Sequence, residues 1–267
     1  MIYEQVTPFA IRRIVLEQSK RAHIGHIGSS LSIADIVAAL YSRILNVPAP
    51  DDPERDRFVL SKGHAALAIY AALYLRGWID QAALDSFHCD NSLLGVHPER
   101  VLTGIDFCTG SLGTGLSLAT GAALAAKMQK SARRVFALIS DAELNEGSTW
   151  EAIMFAAHHQ LGGLTAIIDL NGQQALGYTP DVIALDGLAA RWRAFGWDVY
   201  EVDGHDVEAM ASAAANLSGD QPHVLIARTT FGKGVSYMEN KIRWHYMPMS
   251  DDEYRQAMLE IGAGEHA

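Results

Sequence analysis

Short apolar runs alternate with amphipathic stretches along most of the chain. Residues 135–139 are all apolar and rich in β-formers, which predicts a buried strand. Residues 149–161 carry a helical pattern, and residues 164–168 predict a second buried strand. Together they form a βαβ unit. Further strands are predicted at residues 57–60, 198–202 and 223–227. Val6, Ala10 and Ile14 share one helical face, and Pro8 limits where that helix begins. Ile33, Ile36, Val37, Leu40, Tyr41 and Ile44 predict an amphipathic helix capped by Ser32 or Ser30. Leu116, Ala119, Ala123 and Ala126 mark an Ala-rich helix. Helices are also expected around residues 185–195 and from Ser250 onward. The pattern is that of an α/β protein: an open, mostly parallel sheet with helices on both faces.

Two polar clusters, residues 140–147 and 169–173, fall at the carboxyl ends of the central strands. In an open parallel sheet that edge is where ligands bind. Asp141 and Asn171 lie 171 − 141 = 30 residues apart, about one βαβ unit. A carboxylate and an amide oxygen from neighbouring strands can therefore meet in one crevice. Hard oxygen donors with open positions suit Mg²⁺ or Ca²⁺ carrying phosphate oxygens. Either residue alone reads equally well as a helix cap or an Asn-Gly turn. The pair, each after a buried strand, favours a site.

Histidines and glycines mark the other candidates. His23 and His26 sit among glycines in a loop expected to expose both imidazoles. His64 follows the 57–60 strand at a helix start, a ligand-side position. His97 lies in a short turn. Residues 109–115 hold three glycines, either a flexible loop or a place where backbone approaches a flat ring. His205 reads as locally hydrogen-bonded in a turn. Gly232-Lys233-Gly234 is too short for a P-loop.

Composition narrows the class. The 267 residues suffice for one large domain, with 49% hydrophobic and 19% charged residues. A net charge of −10 with no basic stripe argues against nucleic acid. Cys89 and Cys108 lack metal spacing and are expected as packed free thiols, consistent with a reducing cytoplasm. The first residues show no signal peptide, and no apolar run reaches membrane-span length.

The stretch from Ser140 to Gly147, followed by Trp150 to His159, resembles the diphosphate-binding domain of transketolases. It is most similar to the separately encoded N-terminal subunit of split bacterial transketolases. The similarity extends from Gly25-His26 to Trp244-His245. It implies the thiamine diphosphate-binding fold, with residues 1–267 forming one diphosphate-binding domain and the pyrimidine-binding and C-terminal domains on another polypeptide. It further implies transfer of a two-carbon ketol unit from a ketose (phosphate) to an aldose (phosphate), in an α₂β₂ assembly in the cytoplasm. Thiamine diphosphate and Mg²⁺ are the implied cofactors, with Ca²⁺ or Mn²⁺ as alternative metals. The implied metal ligands are Asp141, Asn171 and the backbone carbonyl of Gln173. His64, Gly110, Ser111, Leu112, Asp141, Ala142, Glu146, Asn171 and His245 would bind the cofactor. His26, His97 and His245 would act on substrate. Glu146 would lie near the subunit interface and couple the two active sites.

Two departures stand out. The family's Gly-Asp-Gly is Ser140-Asp141-Ala142 here, and a positive φ at Ala142 would cost roughly 1 kcal/mol. Gln173 replaces an aliphatic residue beside the thiazolium. Competing expectations are a non-catalytic cofactor-binding or regulatory paralogue and a subunit of a deoxyxylulose phosphate synthase-like or E1 dehydrogenase-like enzyme. A Rossmann dehydrogenase is disfavoured by the lack of a G-x-G-x-x-G after the first strand.

Overall fold

The computed structural model describes residues 3–264. Met1 and Ile2, the start of the stretch read above as carrying no leader, lie outside the described residues. Strands β1 (Arg57–Leu60), β2 (Val135–Ser140), β3 (Leu164–Leu170), β6 (Asp198–Asp203) and β7 (His223–Arg228) form one sheet in the order β1-β2-β3-β7-β6. Every pairing is parallel. Two further strands, β4 (Gln173–Gln174) and β5 (Gly177–Tyr178), make a small antiparallel hairpin where the sequence predicted only a loop.

Alternation along the strands builds two cores. Phe58, Leu60, Phe136, Leu138, Ile167 and Leu225 face one layer, with the helices Pro8–Ala22, Ala66–Leu75 and Val207–Ala215. Val59, Val135, Ala137, Ile139, Ile168 and Ile226 face the other, with Gly115–Gln129, Gly147–His158 and Leu188–Ala194. Both faces being covered explains why the strands are near-continuous apolar runs. In the Ala-rich helix, Leu116, Ala119, Ala123 and Ala126 are the buried face, as their spacing predicts. Among the described residues no helix is long and apolar enough to cross a membrane.

Three local expectations fail for identifiable reasons. The segment around Ile33–Ile44 is not one amphipathic helix. It breaks into Ile27–Ser32, Ala34–Ala39 and a π turn over Leu40–Ile44. Its apolar residues recur on every side because the segment is buried all round. Ser32 caps nothing, because its hydroxyl instead donates to Asp169 Oδ2 at 2.7 Å and to Ser29 O. Cys89 and Cys108 are free, as expected, but exposed rather than packed.

Candidate active site

The carboxyl ends of β1, β2, β3 and β7 converge at one edge of the sheet. Ser140 pairs with Asp169 in the β2–β3 register, so Asp141 and Asn171 leave adjacent strands together. A cavity of about 320 Å³ opens there. His64, Leu112, Ala142, Glu146, Asn171, Gln173 and His245 line it. His26, His97, Gly110, Ser111 and Asp141 lie outside that lining. The His97 ring packs against Gly110, where an added Cβ would come within 3.1 Å of it.

Asp141 lies beneath the cavity and is completely buried. Its Oδ1 accepts the Ala142 N–H at 2.9 Å. Its Oδ2 accepts the Gly172 N–H at 3.1 Å and the Thr179 hydroxyl at 2.6 Å. Three donors leave one of roughly four lone-pair positions on the carboxylate. Burial raises its pKa to about 6. A cation at the remaining position would offset that penalty. Asn171 Oδ1 accepts the Gln173 N–H at 2.9 Å, which turns the Gln173 backbone into the same corner. Ala142 has no positive φ. It sits in the single-turn helix Asp141–Asn145, so replacement of the family's glycine carries no backbone strain.

His26, His64 and His245 form a triangle with ring centroids 5.2, 5.4 and 5.5 Å apart. The His26 ring is half-buried in this cluster, whereas His23 is exposed. Ser29 Oγ pairs with His64 Nε2 at 2.8 Å, and Phe231 stacks on His245 at 5.9 Å. Burial lowers all three pKa values, and the Lys62 ammonium lowers them further. His245 falls to about 4. All three imidazoles are therefore neutral near pH 7, each offering one N–H and one acceptor nitrogen.

The cavity wall is polar and incompletely satisfied. Asn145 Oδ1, Gln174 Nε2, His245 Nδ1 and both amide atoms of Gln173 are buried without a protein partner. Such groups cost free energy unless a ligand or water completes them. Among the described residues no cluster of three or more His, Cys, Asp or Glu side chains could hold a metal by itself. A metal at Asp141 and Asn171 would need further oxygens, as a diphosphate supplies.

Sequence reasoning missed several residues of this edge. Lys62 is fully buried and paired with Asp169 at 2.6 Å. Glu143 accepts from Gly113 N and Ser140 N, both at 2.9 Å, and from the Ser61 hydroxyl. The S-x-x-E capping box formed by Ser140 and Glu143 was the available signal for Glu143. His205 lies in a turn and its backbone N–H donates to Asp203 Oδ1 at 2.9 Å, as expected, but its ring reaches further. Its Nδ1 meets Asp35 at 2.7 Å, and its Nε2 accepts the Thr230 N–H at 2.8 Å.

Comparison with known proteins identifies the family. Residues 4–266 match the family described as transketolase, thiamine diphosphate binding domain, and the chain belongs to that family. It is 40% identical over 256 residues to the 6-deoxy-6-sulfo-D-fructose transketolase subunit SqwG of Clostridium sp. (strain MSTE9), covering 94% of this chain and 93% of that protein. It is also 40% identical over 254 residues to one of the subunits of apulose-4-phosphate transketolase in Phocaeicola vulgatus, covering 94% and 90% of the two chains. Among solved structures, transketolase from Campylobacter jejuni superposes with a TM-score of 0.91 at 29% identity. That match covers 97% of this chain but only 43% of the Campylobacter chain.

Proposed function

We propose that this chain is the thiamine diphosphate-binding, N-terminal subunit of a two-polypeptide transketolase. It would move a two-carbon ketol unit from a ketose (phosphate) to an aldose (phosphate). The observation that carries the proposal is the cavity that Asn171 shares with His64 and His245, with Asp141 beneath it and His26 completing the imidazole triangle beside it. When bound, the cofactor would supply the group that breaks and remakes the carbon–carbon bond.

The chain's own residues bind, orient and move protons. Asp141, Asn171 Oδ1 and the Gln173 carbonyl are oxygen donors suited to Mg²⁺, with Ca²⁺ or Mn²⁺ as substitutes. His64, the Gly110-Ser111-Leu112 loop, Ala142, Glu146 and His245 would hold the diphosphate and the aminopyrimidine. His26, His97 and His245 would polarise the carbonyl and exchange protons with hydroxyls of the sugar. Neutral imidazoles can do both.

A C-terminal subunit would complete the site, in an α₂β₂ assembly in the cytoplasm. The Clostridium and Phocaeicola relatives, matched over 93% and 90% of their own lengths, are themselves named as subunits. Leu176 (85% exposed) and Ile183 (51%) stand at the cavity mouth, an apolar rim suited to burial by such a partner. Co-purification with the C-terminal subunit, followed by a ketol-transfer assay over a panel of ketoses, tests the proposal. Transfer that needs both chains, thiamine diphosphate and Mg²⁺ supports it. Transfer by neither the chain nor the mixture favours the non-catalytic paralogue.

A further inference from the structure

Asp169 lies next to the end of β3, completely buried, and four chain segments meet on its carboxylate. Oδ2 accepts from Ser32 Oγ at 2.7 Å, Lys62 Nζ at 2.6 Å and Asn171 Nδ2 at 2.8 Å. Oδ1 accepts from the Thr229 hydroxyl. Lys62, Asn171 and Thr229 follow β1, β3 and β7, and Ser32 ends the short helix Ile27–Ser32. Lys62 is the only cation among these donors, and its ammonium also points at Ser29 O, 3.4 Å away.

We infer that Asp169 is a positioning residue, which fixes the orientation of the Asn171 amide, and that Lys62 is its counter-charge. The inference rests on the proposed role of Asn171 as a metal ligand. An asparagine amide has one accepting end and one donating end of nearly the same shape. An ionised carboxylate only accepts, so the NH₂ must face Asp169. The oxygen is then turned away from Asp169, to the Gln173 N–H and the metal corner. The opposite orientation would set the amide oxygen against a carboxylate and present hydrogens to a cation. The Lys62 ammonium, 2.6 Å from Oδ2, supplies the opposite charge that a buried carboxylate needs. The ion pair thus sets which atom of Asn171 faces the site, Asp169 from beneath the cavity and Lys62 at its wall.

The test is calorimetric titration of thiamine diphosphate and Mg²⁺ into the complex of this chain with its C-terminal subunit. The variant is Asp169→Asn with Lys62→Met, which removes the pair as a unit and leaves no buried lone charge. Its Mg²⁺ requirement should rise about tenfold or more, a common scale for partners behind a metal ligand. Its thermal midpoint should stay near that of the parent. Thr229→Val, which touches only the other carboxylate oxygen, should change the Mg²⁺ requirement less than twofold. A Mg²⁺ requirement within twofold of the parent in the double variant overturns the inference. So does an equal loss in Thr229→Val, which would mark Asp169 as a structural hub only. Should the double variant not fold, selective ¹⁵N-asparagine labelling of the parent chain decides. The Asn171 NH₂ protons should resist solvent exchange, and exchange at free-solvent rates overturns the assignment. Absence of metal-dependent binding in the parent complex would refute the ligand role of Asn171 itself, a separate outcome.

Discussion

Asp141 and Asn171 each follow one half of a register pair, Ser140 opposite Asp169, on adjacent parallel strands. That relationship fixes the spacing of a carboxylate and an amide before any side chain is packed. Asp141→Asn keeps the shape and the Thr179 contact but removes the charge. We expect metal-dependent thiamine diphosphate affinity to fall by ~100-fold, about 2.7 kcal/mol. The melting temperature should hold or rise, because a buried charge has been removed. Calorimetry paired with a thermal melt checks both.

Gly25 packs directly on the backbone of Tyr246, and a Cβ there would overlap the Tyr246 carbonyl. The His26 N–H donates to His245 O at 3.3 Å in the same contact. Gly25→Ala should therefore push two corners of the histidine triangle apart. A loss of roughly 1–3 kcal/mol is expected in urea denaturation, the usual scale of overpacking. Ketol transfer should fall further than the folded fraction does.

Glu143 ties the 110–115 loop to the ends of β1 and β2. Glu143→Ala would strand three buried donors, on Ser61, Gly113 and Ser140. Destabilisation of roughly 2–4 kcal/mol should result. Glu143→Gln keeps one accepting oxygen and should lose less. Equal losses in the two variants would show that the carboxylate is not the hub of this loop.

Acid should weaken the fold through the histidines. The pKa values of His26, His64 and His245 are lowered on folding, that of His245 to about 4. Between pH 6.5 and about 4 the unfolded chain therefore binds more protons than the folded one. Stability from these groups is present above pH 6.5 and is lost as pH falls toward 4. Denaturation midpoints measured at neutral pH and in mild acid, about two pH units apart, check this. His245→Gln should flatten the slope between them.

The sheet, its parallel sense and the ligand-binding edge were legible in the sequence. Buried strands such as β2 and β3 must be uniformly apolar, and the polar residues that follow them must lie at one edge. Asp141, Asn171 and His64 were assigned to that edge in this way, whereas the 109–115 loop was singled out by its glycines and the family resemblance, and of it only Leu112 lines the cavity. A helix was legible at 33–44, but its breaks into short pieces were not, because the segment is buried on every side and no polar face marks where each piece ends. Lys62, Asp169 and His205 were missed for another reason. Their charged partners lie 107 residues away for Lys62 and Asp169 and 170 for His205 and Asp35, so local spacing holds no trace of these pairs. The Asp169–Asn171 contact itself is local, but the Lys62 and Thr229 groups that hold the carboxylate reach it only once β1, β3 and β7 are brought together.

The central claim is a thiamine diphosphate site at Asp141 and Asn171, completed by a second polypeptide. Calorimetric titration of thiamine diphosphate with Mg²⁺ tests it most directly, run on this chain alone and on the chain mixed with its C-terminal subunit. Tight, metal-dependent binding in the mixture and weak binding by the chain alone is the predicted result. No binding in either sample would contradict the account.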